Sequence, residues 1–220
     1  MIKQDQRART IGLISFVVPA WNEEAQLAGT LRCIREAARS LGERFEILVA
    51  NDGSTDRTGQ IAEQLADRTV HVHHRQIAAA RNAGAQAARG DLLIFVDADT
   101  TVTDGLLRAT LQAVRQGAVG GGCLARFDAP VPIWGWLATA LANAYCRLFR
   151  VAYGCFLFCT REAFDAVGGC GILLKTATAN PAIANVTRTG RTTDHRAMAG
   201  AWIRSRRRLS ARRRRSAVSR

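Results

Sequence analysis

The sequence predicts an α/β protein with a mostly parallel central sheet and helices on both faces. Three observations support this fold class: short apolar runs bounded by turn residues, segments with helical apolar spacing between them, and polar clusters directly after the runs. Continuous apolar runs are typical of strands that are buried on both faces. Strands that alternate with helices at this spacing favour right-handed crossovers, and therefore parallel pairing.

The predicted elements follow one another in a regular order. The strands are Ile11–Val18, which Pro19 ends, Phe45–Ala50, Thr69–His73, Leu92–Val96 and a Gly-rich stretch, Ala118–Phe127. The helices are Ala25–Leu41, a segment from the capping Asp56 to about Ala66, Ile77–Arg89, a segment from the capping Thr103 to about Gly117, and Thr160–Val167. Apolar residues three and four positions apart support Ala25–Leu41, and Ile77–Arg89 is rich in Ala. Polar caps or terminal glycines support the other helices.

Charge divides the chain after residue 169. Residues 170–220 contain 13 Lys and Arg against a single acid, Asp194, whereas the other 18 basic residues of the chain accompany 17 acids. The sequence therefore predicts one domain over 1–169 and a basic, disordered tail over 170–220. Two other interpretations of the tail stay open. It could be an arm for nucleic acid or anionic lipid, or, as we favour, the product of a shifted reading frame.

The hydropathy pattern predicts a cytoplasmic protein. Residues 1–10 are polar rather than a secretory signal, and the six cysteines lack metal-ligand spacing, so we expect reduced thiols. The longest apolar candidate for a membrane span, residues 131–149, is interrupted by Asn143 and Arg147. Because Trp and Arg flank an apolar body in Pro130–Arg150, this segment is either core or a peripheral contact with the inner face of a membrane.

Four polar clusters are predicted to meet at the carboxyl edge of the sheet, where open α/β sheets bind their ligands. The clusters are Pro19-Ala20-Trp21-Asn22-Glu23-Glu24, Asn51–Asp56, Arg81-Asn82-Ala83-Gly84 and Asp97-Ala98-Asp99. Asp97 and Asp99 are spaced i and i+2 after a buried strand, so both carboxylates can converge on one point. Two such oxygens suit Mg²⁺ or Mn²⁺, and either ion can bridge the phosphates of a nucleotide.

In this order the clusters resemble the family 2 glycosyltransferases, whose catalytic domain has the GT-A fold. The resemblance covers about Thr10 to Gly169, including the ending Phe164-x-x-Val167-Gly168-Gly169. It implies metal-assisted transfer of a sugar, with inversion, from a nucleotide-diphosphate donor. The implied metal is Mn²⁺ or Mg²⁺. The acceptor is not identified, and lipid-linked, polysaccharide and small-molecule acceptors are all open.

The resemblance also implies roles for individual residues. Those implied to bind the donor substrate are Pro19, Ala20, Asn22, Glu23, Asp52, Arg81, Asp97 and Ala98. Asp52 would contact the base or ribose, Arg81 the diphosphate, and Asp97 the sugar or ribose. Asp97 and Asp99 would hold the metal.

The chain departs from the family's pattern after Gly169. There the family continues with Phe-Asp-Glu and a Glu-Asp pair, which includes the general base, whereas here Cys170–Lys175 follows. We therefore assign no catalytic base. One alternative is a nucleotide-sugar-binding remnant without transfer activity. Another, which we expect less, is a nucleic-acid-binding protein that uses the Arg-rich tail. A nucleotidyltransferase is disfavoured because Pro19–Glu24 is not the Gly-rich loop with which such enzymes usually open.

Overall fold

The computed structural model describes residues 10–123 and 155–170, positions 137, 140, 141 and 144, and the backbone of 183–186. The strands in these residues are β1 (Ile14–Ala20), β2 (Phe45–Asp52), β3 (Arg68–Val72), β4 (Leu92–Val96), β5 (Gly120–Cys123), β6 (Phe156–Thr160) and β7 (Ile183–Val186). The helices of eight residues or more that lie wholly within residues 10–123 and 155–170 are α1 (Leu27–Arg39), α2 (Thr58–Leu65), α3 (Ile77–Ala87) and α4 (Asp104–Arg115). A shorter helix, α5 (Arg161–Val167), follows β6.

The described strands form one sheet in the order β3-β2-β1-β4-β6-β5-β7. The four strands from β3 to β4 are parallel, and β7 is parallel to β5. Strand β6 runs antiparallel to both of its neighbours. The predicted α/β class with a mostly parallel sheet is therefore confirmed.

Helices cover both faces of this sheet. On one face α1 and α4 bury side chains such as Leu31 and Leu107 against strand residues that include Ile94. On the other face α3 and α5 pack, and the ring of Phe164 stacks on Phe95 with 6.0 Å between the centroids. Ile94 and Phe95 serve opposite faces because successive strand residues point in opposite directions.

The sequence predicted that Pro19 ends the first strand, but Pro19 lies within β1. It is paired with Ala50 of β2, whereas the pairing of β1 with β4 stops earlier, at Val17 and Phe95. A residue without an N–H group is tolerated where one side of a strand no longer has a partner. The extension buries Pro19 and Ala20, the first two residues of the first polar cluster, within the strand.

Strand β6 is not among the predicted elements, although its Phe-Leu-Phe-Cys run is apolar. The predicted helix Thr160–Val167 included Thr160, which is the last residue of β6. Thr160 is the N-cap of α5, and its hydroxyl accepts a hydrogen bond from the Ala163 amide at 3.3 Å. Thr103 caps α4 in the same way, as predicted, with a 3.4 Å bond from the Leu106 amide.

Several predictions fall partly on residues that the structure does not describe. Strand β5 covers Gly120–Cys123 of the predicted Ala118–Phe127, and residues 124–127 lie outside the described part. Of the predicted tail, only Cys170 and the backbone of β7 are described. The boundary at residue 169 thus stays a prediction. Among the described residues no helix is both long enough and apolar enough to cross a membrane.

Candidate functional site

The loop after β1 is fastened to the loop after β2 by hydrogen bonds. The Asn22 side-chain oxygen accepts the Thr55 amide at 2.8 Å, and the Asn22 amide donates to the Ser54 hydroxyl at 3.0 Å. One residue on, the Glu23 amide donates to the Thr58 hydroxyl at 2.8 Å. Asn22 has a φ of 55°, a left-handed conformation that Asn tolerates better than most residues. Asn22 therefore joins the first and second polar clusters.

The carboxylate of Asp52 accepts backbone hydrogen bonds from the loop between β3 and α3. One oxygen accepts the His74 amide at 2.6 Å and the other accepts the Gln76 amide at 3.0 Å. Burial alone would raise the pKa of Asp52, but backbone hydrogen bonds from residues 74–76 hold this pKa below its ordinary value. Asp52 therefore orders that loop, and its contact with a base or ribose stays a prediction.

We expect Asp52→Ala to lower the free energy of unfolding by about 2–4 kcal/mol, because two backbone amides lose their hydrogen bonds to a charged acceptor. The folded pKa of Asp52 is lowered, so the carboxylate's contribution is complete above its ordinary value of 3.8 and is lost as the pH falls through the lowered pKa. Urea unfolding at neutral pH and in acid measures both effects. The exposed Asp104→Ala is the matched control, and equal losses for the two variants would contradict the assignment.

Close packing of α3 on the sheet brings Arg81 to the carboxyl edge. A Cβ atom at Gly84 would overlap the Val17 side chain, so only glycine allows helix and strand to approach this closely. Arg81 is buried, and its Nη2 donates to Asp97 Oδ1 at 2.5 Å. Its Nε is also buried and has no hydrogen-bond partner among the described residues. A buried donor without a partner is costly, which makes Arg81 suited to receive an anionic ligand.

The turn after β4 carries the two aspartates. The Asp97 amide donates to the Cys155 carbonyl at 2.9 Å, and the Thr30 hydroxyl donates to the Ala98 carbonyl at 2.6 Å. Ala98 is buried and Asp99 is exposed. The predicted convergence of the two carboxylates assumes an extended backbone from Asp97 to Asp99. Ala98 and Asp99 instead lie in a turn, so the extended backbone ends at Asp97.

Electrostatics nevertheless link the first and fourth clusters. Burial raises the pKa of Glu23, and the negative charges of Asp99, Asp56 and Asp97 raise it further. These carboxylates therefore repel one another across the carboxyl edge, and a cation would relieve that repulsion. Within the described residues no group of three or more His, Cys, Asp and Glu side chains is arranged to hold a metal alone. The site instead fits Mg²⁺ or Mn²⁺ held by one or two carboxylates and completed by ligand phosphates.

The structure gives the predicted site residues different surroundings. It brings together Glu23, Arg81, Asp97 and Asp99, as described above. Pro19, Ala20 and Ala98 are buried. Asn22 and Asp52 make the loop contacts already given.

Trp21 is a residue of the first cluster to which the sequence analysis gave no role. Its side chain is 49% exposed, and the Arg75 guanidinium carbon lies 5.2 Å from the ring centroid, a cation–π contact. Arg75 belongs to the loop that Asp52 orders and has a φ of 48°. The available sequence signal was an aromatic residue within the first polar cluster.

A pair of thiols beside Asp97 was also missed. The Cys123 thiol is hydrogen-bonded to the Cys155 sulfur, and this contact lowers the pKa of Cys155 to about 6 against the opposing effect of burial. The Thr100 hydroxyl is hydrogen-bonded to the same sulfur. Sequence spacing gave no signal for this pair because β6, which brings Cys155 to β5, was not predicted.

Fold and site together define an α/β domain with a buried arginine and several carboxylates at the carboxyl edge of its sheet. A family model, "Glycosyl transferase family 2", matches residues 15–180. The chain belongs to this family of enzymes, as its polar clusters predicted. The match continues past Gly169 into the segment where the sequence departs from the expected pattern.

The curated relatives are glycosyltransferases. The undecaprenyl-phosphate 4-deoxy-4-formamido-L-arabinose transferase of Pseudomonas paraeruginosa is 41% identical over 97 residues, 40% of this chain and 28% of the relative. Glycosyltransferase AglD of Haloferax volcanii is 32% identical over 171 residues, 70% of this chain and 27% of the relative. The chain thus spans between a quarter and a third of the length of these relatives.

Solved structures confirm the GT-A fold. Glucosyl-3-phosphoglycerate synthase from Mycobacterium tuberculosis, in complex with Mn²⁺, UDP and glucosyl-3-phosphoglycerate, has a TM-score of 0.60 and 23% identity. That match covers 82% of this chain and 72% of the synthase. The mannosyltransferase PcManGT from Pyrobaculum calidifontis, in complex with GDP-Man and Mn²⁺, has a TM-score of 0.58 and 19% identity, over 84% of this chain and 58% of that one. At these identities the likeness concerns the fold alone.

Proposed function

We propose that this domain binds a nucleotide-diphosphate sugar and transfers the sugar, with inversion, to an acceptor. One observation carries the proposal. The charges of Asp99 and Asp97 act on Glu23 at the carboxyl edge, and Asp97 contacts the buried Arg81, whose Nε has no hydrogen-bond partner among the described residues. Clustered carboxylates with an adjacent arginine suit a ligand that brings both a divalent cation and a diphosphate.

In this proposal Asp97 and Asp99 hold Mn²⁺ or Mg²⁺, and Arg81 binds the diphosphate. The metal would neutralise the negative charge that develops on the departing nucleotide diphosphate. Arg81 would stabilise the same negative charge on the nucleotide diphosphate. Its guanidinium is already held in place by Asp97 before a ligand binds. Two solved structures of the same fold contain Mn²⁺ together with UDP or GDP-Man.

We expect Trp21→Ala to weaken UDP binding by about five- to tenfold, because the exposed ring can stack on a nucleotide base, and such stacking is worth about 1–3 kcal/mol. Trp21→Phe keeps an aromatic face and should retain most of the affinity. Isothermal titration calorimetry with Mn²⁺ present measures the difference. Ile77→Ala, another exposed apolar residue, is the matched control; if it weakens binding as much as Trp21→Ala, stacking is not the cause.

The proposal is tested by titrating the full chain with UDP, GDP and ADP, each with and without Mn²⁺. Binding of at least one nucleotide that strengthens with Mn²⁺ is the expected result. Absence of nucleotide binding under every condition would overturn the proposal. Donor turnover is then followed by release of nucleoside diphosphate from UDP- and GDP-sugars.

A nucleotide-sugar-binding remnant is the second candidate, favoured by the distribution of acids after β6. The acids on α5 are Glu162 and Asp165, and α5 begins at the amino edge of the sheet, where the Arg161 amide donates to the Asp91 carbonyl at 2.8 Å. The chain then returns to the site, since the Cys170 amide donates to the Asn82 side chain at 2.7 Å. Nucleotide binding without donor hydrolysis or transfer would select this candidate.

A lipid-linked acceptor at the inner face of the membrane is the acceptor class that we infer. The Pseudomonas relative is named for undecaprenyl phosphate, a lipid phosphate. In this chain Leu137 and Leu141, at helical positions one turn apart, are 54% and 63% exposed. Exposed apolar residues at this spacing are typical of helices that lie in a membrane interface.

We expect the double variant Leu137→Ser/Leu141→Ser to sediment several-fold less with anionic phospholipid vesicles, since it removes exposed apolar area. Flotation or sedimentation at fixed ionic strength measures the bound fraction. Ile77→Ser removes an exposed apolar side chain elsewhere and should change little. Vesicle binding that is equal for all three proteins would contradict a role of this segment.

A further inference from the structure

Two thiols lie side by side where β5 meets β6. Gly122 of β5 is paired with Leu157 of β6, which puts Cys123 opposite Phe156 and one residue away from Cys155. Opposite Cα atoms are about 5 Å apart and each residue advances about 3.3 Å, so the Cα atoms of Cys123 and Cys155 are about 6 Å apart. This separation lies within the range that a disulfide bond requires. Because Cys155 precedes β6, the alternation of side chains along that strand does not turn its thiol away from Cys123, with which it is hydrogen-bonded.

The side chains are already in contact. The Cys123 thiol is hydrogen-bonded to the Cys155 sulfur, and both residues are partly exposed. Among the other described cysteines, Cys159 and Cys170 are buried, and Cys33 lies apart on α1. Access and a neighbouring thiol are both needed for site-selective oxidation, and Cys123 and Cys155 have both.

We propose that Cys123 and Cys155 form an oxidation site at which a hydroperoxide closes a disulfide bond between β5 and β6, and that this bond weakens nucleotide binding. The second half of the inference rests on the proposed function. The first half does not.

The hydroperoxide is the oxidant and accepts the two electrons that the two thiols lose. The Cys155 sulfur attacks a peroxide oxygen, the O–O bond breaks, and sulfenic acid forms as water or an alcohol leaves. The Cys123 sulfur then attacks the sulfenic sulfur, the S–O bond breaks, and water leaves with the thiol proton. Two thiols are oxidised to one disulfide and one peroxide is reduced.

The bond would act on the nucleotide site through Cys155. The Cys155 carbonyl accepts the Asp97 amide at 2.9 Å, and the Thr100 amide donates to the Asp97 carbonyl at 3.0 Å. The Thr100 hydroxyl is also hydrogen-bonded to the Cys155 sulfur. A disulfide fixes the position of this sulfur against Cys123, and the contacts of Cys155 with Asp97 and Thr100 transmit that constraint to the turn that carries Asp97 and Asp99.

The first experiment detects the bond itself. The reduced full chain is treated with hydrogen peroxide, the remaining thiols are blocked, and tryptic peptides are analysed without reduction. We expect a cross-link between peptides 116–126 and 151–161 that dithiothreitol reverses. Cys123→Ser and Cys155→Ser must each abolish it, and Cys33→Ser must not. No cross-link, or one that survives in Cys155→Ser through Cys159, would overturn the inference.

The second experiment measures UDP affinity in the presence of Mn²⁺ for the reduced and oxidised protein. We expect the oxidised form to bind about fivefold more weakly, equivalent to the loss of one hydrogen bond. Cys155→Ser should show no such dependence on peroxide. Equal affinity of the two wild-type forms would overturn the coupling to the site. If the reduced protein binds no nucleotide, the proposed function fails while the cross-link result still stands.

Discussion

Asp99→Asn is expected to abolish the Mn²⁺ dependence of UDP binding while leaving the fold intact. The Asp99 side chain is exposed, and the hydrogen bond that it accepts from the Thr100 hydroxyl is long, at 3.5 Å, so the substitution removes little that stabilises the domain. In the proposed metal site it would remove a carboxylate–cation contact of roughly 4 kcal/mol before desolvation. We therefore expect UDP affinity in Mn²⁺ to fall by at least about a hundredfold.

Calorimetric titration with and without Mn²⁺ measures this loss, and thermal unfolding checks the fold. Asp104→Asn is the matched control, since Asp104 is exposed and its partner is Arg108 at 3.8 Å on the same helix. A second readout is the pKa of Glu23. Asp99 raises this pKa more than Asp56 or Asp97 does, so we expect the pKa to fall in Asp99→Asn. An unchanged response to Mn²⁺ in Asp99→Asn would show that the metal site lies elsewhere.

The strands that could be predicted from the sequence are those whose signal is local. Leu92–Val96 is a continuous apolar run bounded by turn residues, and its predicted bounds agree with β4. Strand β6 has a comparable run, but its pairing with β4 and β5 joins residues far apart in the sequence. Local patterns carry no information on that pairing, so the Cys123–Cys155 contact could not be foreseen.

The residues of the candidate site were easier to predict than their partners. Asp52, Arg81 and Asp97 are polar residues next to predicted strands or on a predicted helix, and their types alone indicated chemistry. That Asp52 receives the amides of residues 74–76 depends on the course of a loop. The Arg81–Asp97 contact depends on how closely α3 approaches β1, which Gly84 permits. Neither distance follows from sequence spacing.

Arg81→Ala is expected to lower both stability and UDP affinity, for separable reasons. Removing Arg81 leaves Asp97 without its 2.5 Å partner, which costs 3–5 kcal/mol in a fully buried pair. The Asp97 side chain is 26% exposed, so solvent reduces this cost, and we expect a loss of about 2 kcal/mol. In the double variant Arg81→Ala/Asp97→Ala part of that loss should be recovered. Urea unfolding of the three proteins measures the coupling.

The effect of Arg81 on binding is isolated by Arg81→Lys, which keeps the charge but loses the planar fork and the Nε donor that binds no described residue. We expect UDP affinity to fall by about tenfold or more, as a bidentate contact with a phosphate becomes a single one, and the weak affinity for uridine to stay unchanged. Arg108→Lys, at an exposed ion pair, should alter neither ligand. Equal losses for UDP and uridine would mean that Arg81 shapes the whole pocket; a loss confined to UDP identifies it as the diphosphate ligand.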